Sequence, residues 1–209
     1  MQDFLSGRIS LVKSLDANEP AARYEDLVLI LCAVLSACAA IHYPGRGIDR
    51  NRFIELLVMN SPINFRTSWI SIPALINRGL INESQTLYGK PGNETRIFRD
   101  EEIDVSLDEA KNQYPEIDEK SLKKHCYASL IYEWLRCGYT HEYCARGDIT
   151  RVPASRQQAR VSYIGRSTKN GIKRMVSFHL NYLISIAEYH VSDLSREQLR
   201  KSSGWWIEI

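Results

Sequence analysis

The stretch LVLILCAVLSACAAI, Leu27 to Ile41, decides the fold. It is the most apolar run in the chain, and its 15 residues fall short of the roughly 20 needed to cross a bilayer. Acidic Glu25 and Asp26 stand just before it, and alanine, serine and cysteine dilute it. These features predict a buried core helix, apolar on every side and placed at the centre of a helical bundle. Cys32 and Cys38 inside the run pack there as small hydrophobes.

Working outward, the flanking segments are also helical in pattern. DFLSGRISLVKSLD brings Phe4, Leu5, Ile9, Val12 and Leu15 to one face at close to a 3.6-residue period. YPGRG interrupts the chain, Asp49 is placed to cap the next helix, and RNRFIELLVMN sets Phe53, Leu56 and Leu57 opposite its charges. SIPALINRG predicts a short helix with Pro73 in its first turn and Gly79 at its end.

From Asn82 to Glu119 eleven acidic residues face four basic ones, and GKPGNETR is turn chemistry. The pattern predicts a mobile acidic surface connection over 82–119 with one short helix around SLDEAKNQY. A long helix over 118–143 follows, with Leu122, Cys126, Leu130, Ile131, Trp134 and Leu135 as its apolar stripe and Gly138 near its end. The segment 146–174 then carries eight basic residues and one acid, Asp148. Within it RVSYIG and KRMVSF flank RSTKNG as a β-hairpin. FHLNYLISIAEY predicts a last helix with Leu180, Leu183, Ile184 and Ala187 inward, and Trp205 and Trp206 at the tail need a surface to cover.

At 209 residues the chain is long enough for one well-buried domain, and no internal boundary divides it. The expected class is mostly α, a helical bundle with a small β-hairpin between the last two long helices. The opening MQDFLSGRISLVKSLD lacks a basic leader and a small-residue cleavage site, and the five cysteines have no framework spacing. A reducing cytoplasm, with no membrane association, fits both features.

Several chemistries lack their residues. The sequence has no glycine-rich phosphate loop, no Ser-His-Asp order and no carboxylate cluster of metal-binding spacing. Cys137, His141 and Cys144, with His125 and Cys126 upstream, lack the paired-cysteine spacing of a zinc site, so neither metal nor cofactor is expected. RCGYTHEY, Arg136 to Tyr143, does carry a chemistry. RNA hydrolysis without a metal needs one group to take the 2′-hydroxyl proton and return one to the leaving 5′-oxygen. Histidine does this near neutral pH. A second group must offset charge on the phosphorane, and the fixed guanidinium fork of arginine fits its oxygens. Arg-x4-His separates the two by about 140° on a straight helix. They meet if Gly138 relaxes the last turn, or if two copies of the chain share a groove. A second Arg-x4-His, Arg174 and His179, begins in a strand and lacks this helical context.

Arg136-x4-His141-x-Tyr143, at the end of an amphipathic helix in a mostly helical chain, resembles the signature of the HEPN superfamily. The resemblance implies an all-α bundle that forms a homodimer and brings two such motifs into one cleft. It also implies a metal-independent endoribonuclease of toxin–antitoxin, abortive-infection or CRISPR-linked antiviral defence. Arg136 and His141 would then be catalytic. Tyr143 would position the phosphate or be the target of modification by an antitoxin partner. The basic segment supplies candidate RNA contacts at Arg146, Arg151, Arg160, Arg166 and Lys173. The alternative is a catalytically silent HEPN-like scaffold that binds RNA or a partner protein without turnover.

Overall fold

The apolar run forms the axis of the structure, a computed structural model that describes residues 1–18, 23–83, 86, 96–142, 144, 160–169, 171–195 and 204–207. In chain order, α1 (Gln2–Asn18), α2 (Tyr24–His42) and α3 (Asp49–Asn60) lead to a 3-10 turn (Ile63–Phe65) and α4 (Ile72–Asn77). A short strand β1 (Phe98–Arg99) precedes α5 (Asp100–Ile103), α6 (Leu107–Gln113) and α7 (Glu119–Lys124). Then come α8 (Tyr127–Leu130), a π-helical run (Ile131–Arg136) and α9 (Cys137–Glu142). The hairpin β2 (Val161–Thr168) and β3 (Gly171–Phe178) leads into α10 (Leu180–Ser192). The class is mostly α with a small antiparallel sheet, as the periodicities predict.

Helix α2 packs against α1, α3, α10 and the π run. It buries Leu27, Val28, Leu31, Cys32, Val34, Leu35, Cys38 and Ala39. Each fully buried aliphatic side chain contributes about 1.5–3 kcal/mol, so this face anchors the bundle. It is the one helix among the described residues long and apolar enough to cross a membrane. Its neighbours do not surround it, contrary to expectation. Ala33 and Ile41 are exposed, and Leu29, Ile30 and Ala37 are only partly covered. At 100° per residue these five positions form one open arc of about 120°.

The flanking helices follow their patterns with local corrections. Leu5, Ile9 and Val12 of α1 are buried, but Phe4 faces outward and carries the Arg8 guanidinium over its ring at 4.7 Å. Ile48, not Asp49, occupies the cap position of α3, while Asp49 begins the helix and pairs with Arg52. The α3 charges are not all on the outer face. Glu55 is fully buried, because its carboxylate accepts the Trp206 backbone N–H at 2.7 Å. Trp205 packs edge-on to Tyr43 and Lys123 lies over the Trp206 ring, so both tail tryptophans find a surface. α4 has its expected cap: Ser71 Oγ accepts from Ala74 N, Pro73 lies in the first turn, and Gly79 leaves the helix at φ +70°.

The expected acidic surface connection is corrected where residues 96–119 are described. Phe98, Asp100 and Asp104 are buried, and β1 pairs antiparallel with β2 through Phe98–Tyr163 and Arg99–Ser162. Charged residues enter the interior there because each has partners. Asp104 accepts hydrogen bonds from the hydroxyls of Tyr127 and Tyr163 and, at 3.0 Å, from the Ile72 N–H. Asp100 accepts from Arg160 Nε at 2.6 Å and lies 3.8 Å from Arg66. α6 forms as expected, closed by a capping box between Ser106 and Glu109. Much of 84–95 lies outside the described residues.

The long helix predicted over 118–143 is instead broken once, between Lys124 and Tyr127, and widened to a π-helix over Ile131–Arg136. The segment Trp69–Ser71 takes hydrogen bonds that a continuous helix would have kept for itself. Ser71 N–H donates to the His125 carbonyl at 3.0 Å, and Tyr127 N–H donates to the Trp69 carbonyl at 3.0 Å. This stops α7 at Lys124 and restarts the chain at Tyr127. The predicted stripe is nonetheless buried: Leu122, Cys126, Leu130, Ile131, Trp134 and Leu135 all lie in the core. Its inward pairs, Leu130/Ile131, Trp134/Leu135 and Gly138/Tyr139, recur every four residues. A 3.6-residue turn would rotate such pairs off the core, and the wider π turn keeps them facing it.

Candidate functional site

Arg136 ends the π run, and α9 carries the chain on to His141. The Cys137 N–H donates to the Tyr132 carbonyl, a five-residue bond that closes the wide turn. π turns of this kind occur frequently at functional sites. Arg136 is half-buried, with its guanidinium over the Tyr132 ring at 5.3 Å and Nη1 3.9 Å from Cys137 Sγ. It also lies within electrostatic reach of Cys32 on α2. Burial pushes that thiol up to about 12, and the positive charge of Arg136 pulls the other way.

His141 sits in the last turn of α9 and is exposed. The widened turn takes in Arg136 as its last residue and the helix is ordinary α from Cys137 on, so His141 lies about 140° around the axis from Arg136. Gly138 therefore does not bring the two together by loosening the end of the helix. It is buried inside α9, beside Tyr139. Within one chain the pair shares an end of the helix but not one face.

The other sequence candidates fall into three groups. Tyr143, Arg146 and Arg151 lie outside the described residues. Arg160 is engaged inside the fold, paired with Asp100 at 2.6 Å and 3.7 Å from Glu101. A phosphate there would compete with a buried carboxylate. Arg166 and Lys173 are cross-strand partners of the hairpin, so their side chains leave the same face of the sheet, with Arg166 exposed. Of the second Arg-x4-His pair, Arg174 is buried with its backbone bonded to Asn77, and His179 Nε2 lies 2.8 Å from Ser162 Oγ. His179 lies near the core, whereas Arg174, one of the eight basic residues counted in 146–174, is not on the surface of the hairpin but buried.

A different histidine is more firmly built. His125 follows α7, where Asp118 caps the helix by accepting from Ser121 N–H at 2.9 Å. Its Nδ1 lies 2.7 Å from the Ser121 carbonyl. A carbonyl only accepts, so the proton is on Nδ1 and Nε2 carries the lone pair. Burial lowers the pKa of His125, with Arg78 and Lys124 acting in the same direction and the Ser121 bond and Glu133 opposing. The ring borders a cavity of about 300 Å³ with Arg78, Leu80, Ser121, Lys124, Leu130, Glu133 and Trp134. The sequence considered His125 only as a zinc ligand. The signal it held was Asp-x-x-Ser before a short helix ending in Lys-Lys-His, but the helix break that opens the cavity depends on distant residues 69–71.

Among the described residues no group of three or more His, Cys, Asp or Glu side chains is placed to hold a metal ion. The chain matches no protein-family model, no curated protein and no solved structure.

Proposed function

We propose that the protein is a metal-independent endoribonuclease of the HEPN type, cytoplasmic and homodimeric, acting in a toxin–antitoxin or antiviral defence system. One observation carries the reading: a held arginine, seated over Tyr132 beside a π turn, and an exposed histidine occupy the end of one helix. His141 Nε2 or Nδ1 removes the 2′-hydroxyl proton, the 2′-oxygen attacks phosphorus, and a protonated imidazole returns a proton to the departing 5′-oxygen. The products are a 2′,3′-cyclic phosphate and a 5′-hydroxyl. Arg136 offsets the phosphorane charge. RNA follows the basic segment through Arg146, Arg151, Arg166 and Lys173, and Tyr143 positions the phosphate or receives an antitoxin's modification.

A dimer supplies what one chain's α spacing does not. The open arc of Leu29, Ile30, Ala33, Ala37 and Ile41 borders, at Leu29 and Ala33, the side of α2 that carries Cys32, whose thiol feels the charge of Arg136. Covering that apolar arc with a second copy would bring two helix ends into one groove, so that Arg136 of one meets His141 of the other. The separation within a single chain favours a second reading, a silent RNA-binding scaffold with the same basic track. Substrate chemistry separates the two. An RNA oligonucleotide cut by the protein in the presence of a chelator should yield a cyclic phosphate and resist cleavage where the 2′-hydroxyl is replaced by hydrogen. Cleavage that proceeds at 2′-deoxy positions would overturn the mechanism, and binding without any cleavage would select the scaffold.

A further inference from the structure

The cavity beside His125 joins residues from three parts of the chain, the end of α4, the end of α7 and the π run. Two cations stand at its edge. Arg78 and Lys124 are exposed, and among the described residues neither makes an ion pair. The single carboxylate, Glu133, is held by Arg50 Nη2 at 2.5 Å, which offsets its charge and fixes its direction. Buried Leu130 and Trp134 provide an apolar wall. The volume, about 300 Å³, lies at the lower end of ordinary small-molecule sites.

The histidine narrows the chemistry. With Nδ1 donating to the Ser121 carbonyl, Nε2 is the ring nitrogen left to accept, and the ring lines the cavity. A phosphodiester has no P–OH to give it, whereas a phosphomonoester carries one in its monoanionic form, populated below its second pKa of about 6. The guanidinium of Arg78 and the ammonium of Lys124 suit the remaining phosphate oxygens. The fixed carboxylate of Glu133 accepts from sugar hydroxyls.

We propose that this cavity binds a ribose phosphomonoester, with Arg78 and Lys124 on the phosphate oxygens, His125 Nε2 on its P–OH and Glu133 on the sugar. The same chemistry occurs in a free nucleoside monophosphate and at the 5′-phosphorylated end of an RNA chain. The site is separate from Arg136 and His141, and it stands whether or not the protein cleaves RNA.

Calorimetric titration of the full chain tests it, with adenosine 5′-monophosphate, adenosine, and one RNA oligonucleotide carrying either a 5′-phosphate or a 5′-hydroxyl. The expected result is binding of the monophosphate but not of adenosine, weakened about 10-fold or more in Arg78→Glu and in Lys124→Glu. Both residues are exposed, so the variants should keep the wild-type unfolding midpoint. Tighter binding of the 5′-phosphorylated oligonucleotide than of its 5′-hydroxyl form, lost in the same variants, assigns the site to RNA ends. Equal binding of the two oligonucleotides, with the monophosphate still bound, assigns it to free nucleotides. The inference is overturned if neither phosphomonoester binds at millimolar concentration, or if binding is unchanged in both variants.

Discussion

His125 and His141 lie sixteen positions apart in what the sequence presents as one helix, and the fold treats them in opposite ways. His125 has a fixed tautomer, a carbonyl partner at 2.7 Å and a cavity with two cations. His141 is exposed on the last turn of α9, with its arginine about 140° away on the same helix. The first lines a cavity whose charges are in place within one chain. In the proposed ribonuclease the second is half of a site, which a second copy of the chain completes. A motif in sequence names the reaction, whereas a cavity in the fold names the shape and charge of what enters it. Neither substitutes for the other.

The sharpest division between the two ends comes from cleavage. Replacing His141 by alanine should lower metal-independent RNA cleavage about 10²–10⁴-fold, measured by single-turnover assays on labelled RNA. A smaller loss would show that the proton transfers run through another group. Arg136→Ala should cost about 10²–10³-fold, and Arg136→Lys should recover only part of it, because lysine keeps the charge without the fork.

The frame beneath His125 should dominate stability instead. Asp104→Ala leaves the buried Tyr127 hydroxyl and the Ile72 N–H without their acceptor, removes one partner of the Tyr163 hydroxyl, and is expected to cost about 3 kcal/mol or more in urea unfolding. The acid also gives the fold a pH signature. Burial pushes the Asp104 carboxyl up to about 7, outweighing its three donors, from a usual value of 3.8. The folded chain therefore holds a proton that the unfolded chain has released. Its contribution is fully present below about pH 4 and is lost as pH rises through about 7. Asp104→Asn should flatten that fall between pH 4 and 8, and an unchanged slope would assign it to other groups.

At the two histidines themselves the stability effects are smaller. His125→Ala removes a half-buried ring and its bond to Ser121 and should cost about 1 kcal/mol. His141→Ala should fall within about 0.5 kcal/mol of wild type, as exposed positions do. A large loss there would mean that α9 depends on the ring for its structure.

The parts of the fold readable from sequence were those set by local pattern. Apolar runs gave α2 and α10, proline and glycine bounded α4, and RVSYIG and KRMVSF gave the hairpin, whose strands extend through Arg166–Thr168 and Gly171 of the expected RSTKNG loop. The errors arose where distant segments meet. The Trp69–Ser71 segment divides a stretch whose own periodicity is unbroken helix, and the acidic texture of 96–104 hides Phe98, Asp100 and Asp104, which become interior only when β1 joins β2. The four-residue recurrence of buried pairs from Leu130 to Tyr139 was visible evidence for a π turn. For the site, residue types at RCGYTHEY were legible, but the burial of Arg136 against Tyr132 and the engagement of Arg160 by Asp100 were not, since both depend on packing.

The most direct test of the account compares wild type, His141→Ala and His125→Ala on one labelled single-stranded RNA in the presence of a chelator. The account predicts cleavage by the wild type to cyclic-phosphate products, and its loss in His141→Ala while that variant keeps its fold. Cleavage that survives in His141→Ala and disappears in His125→Ala would contradict it and move the active site to the cavity.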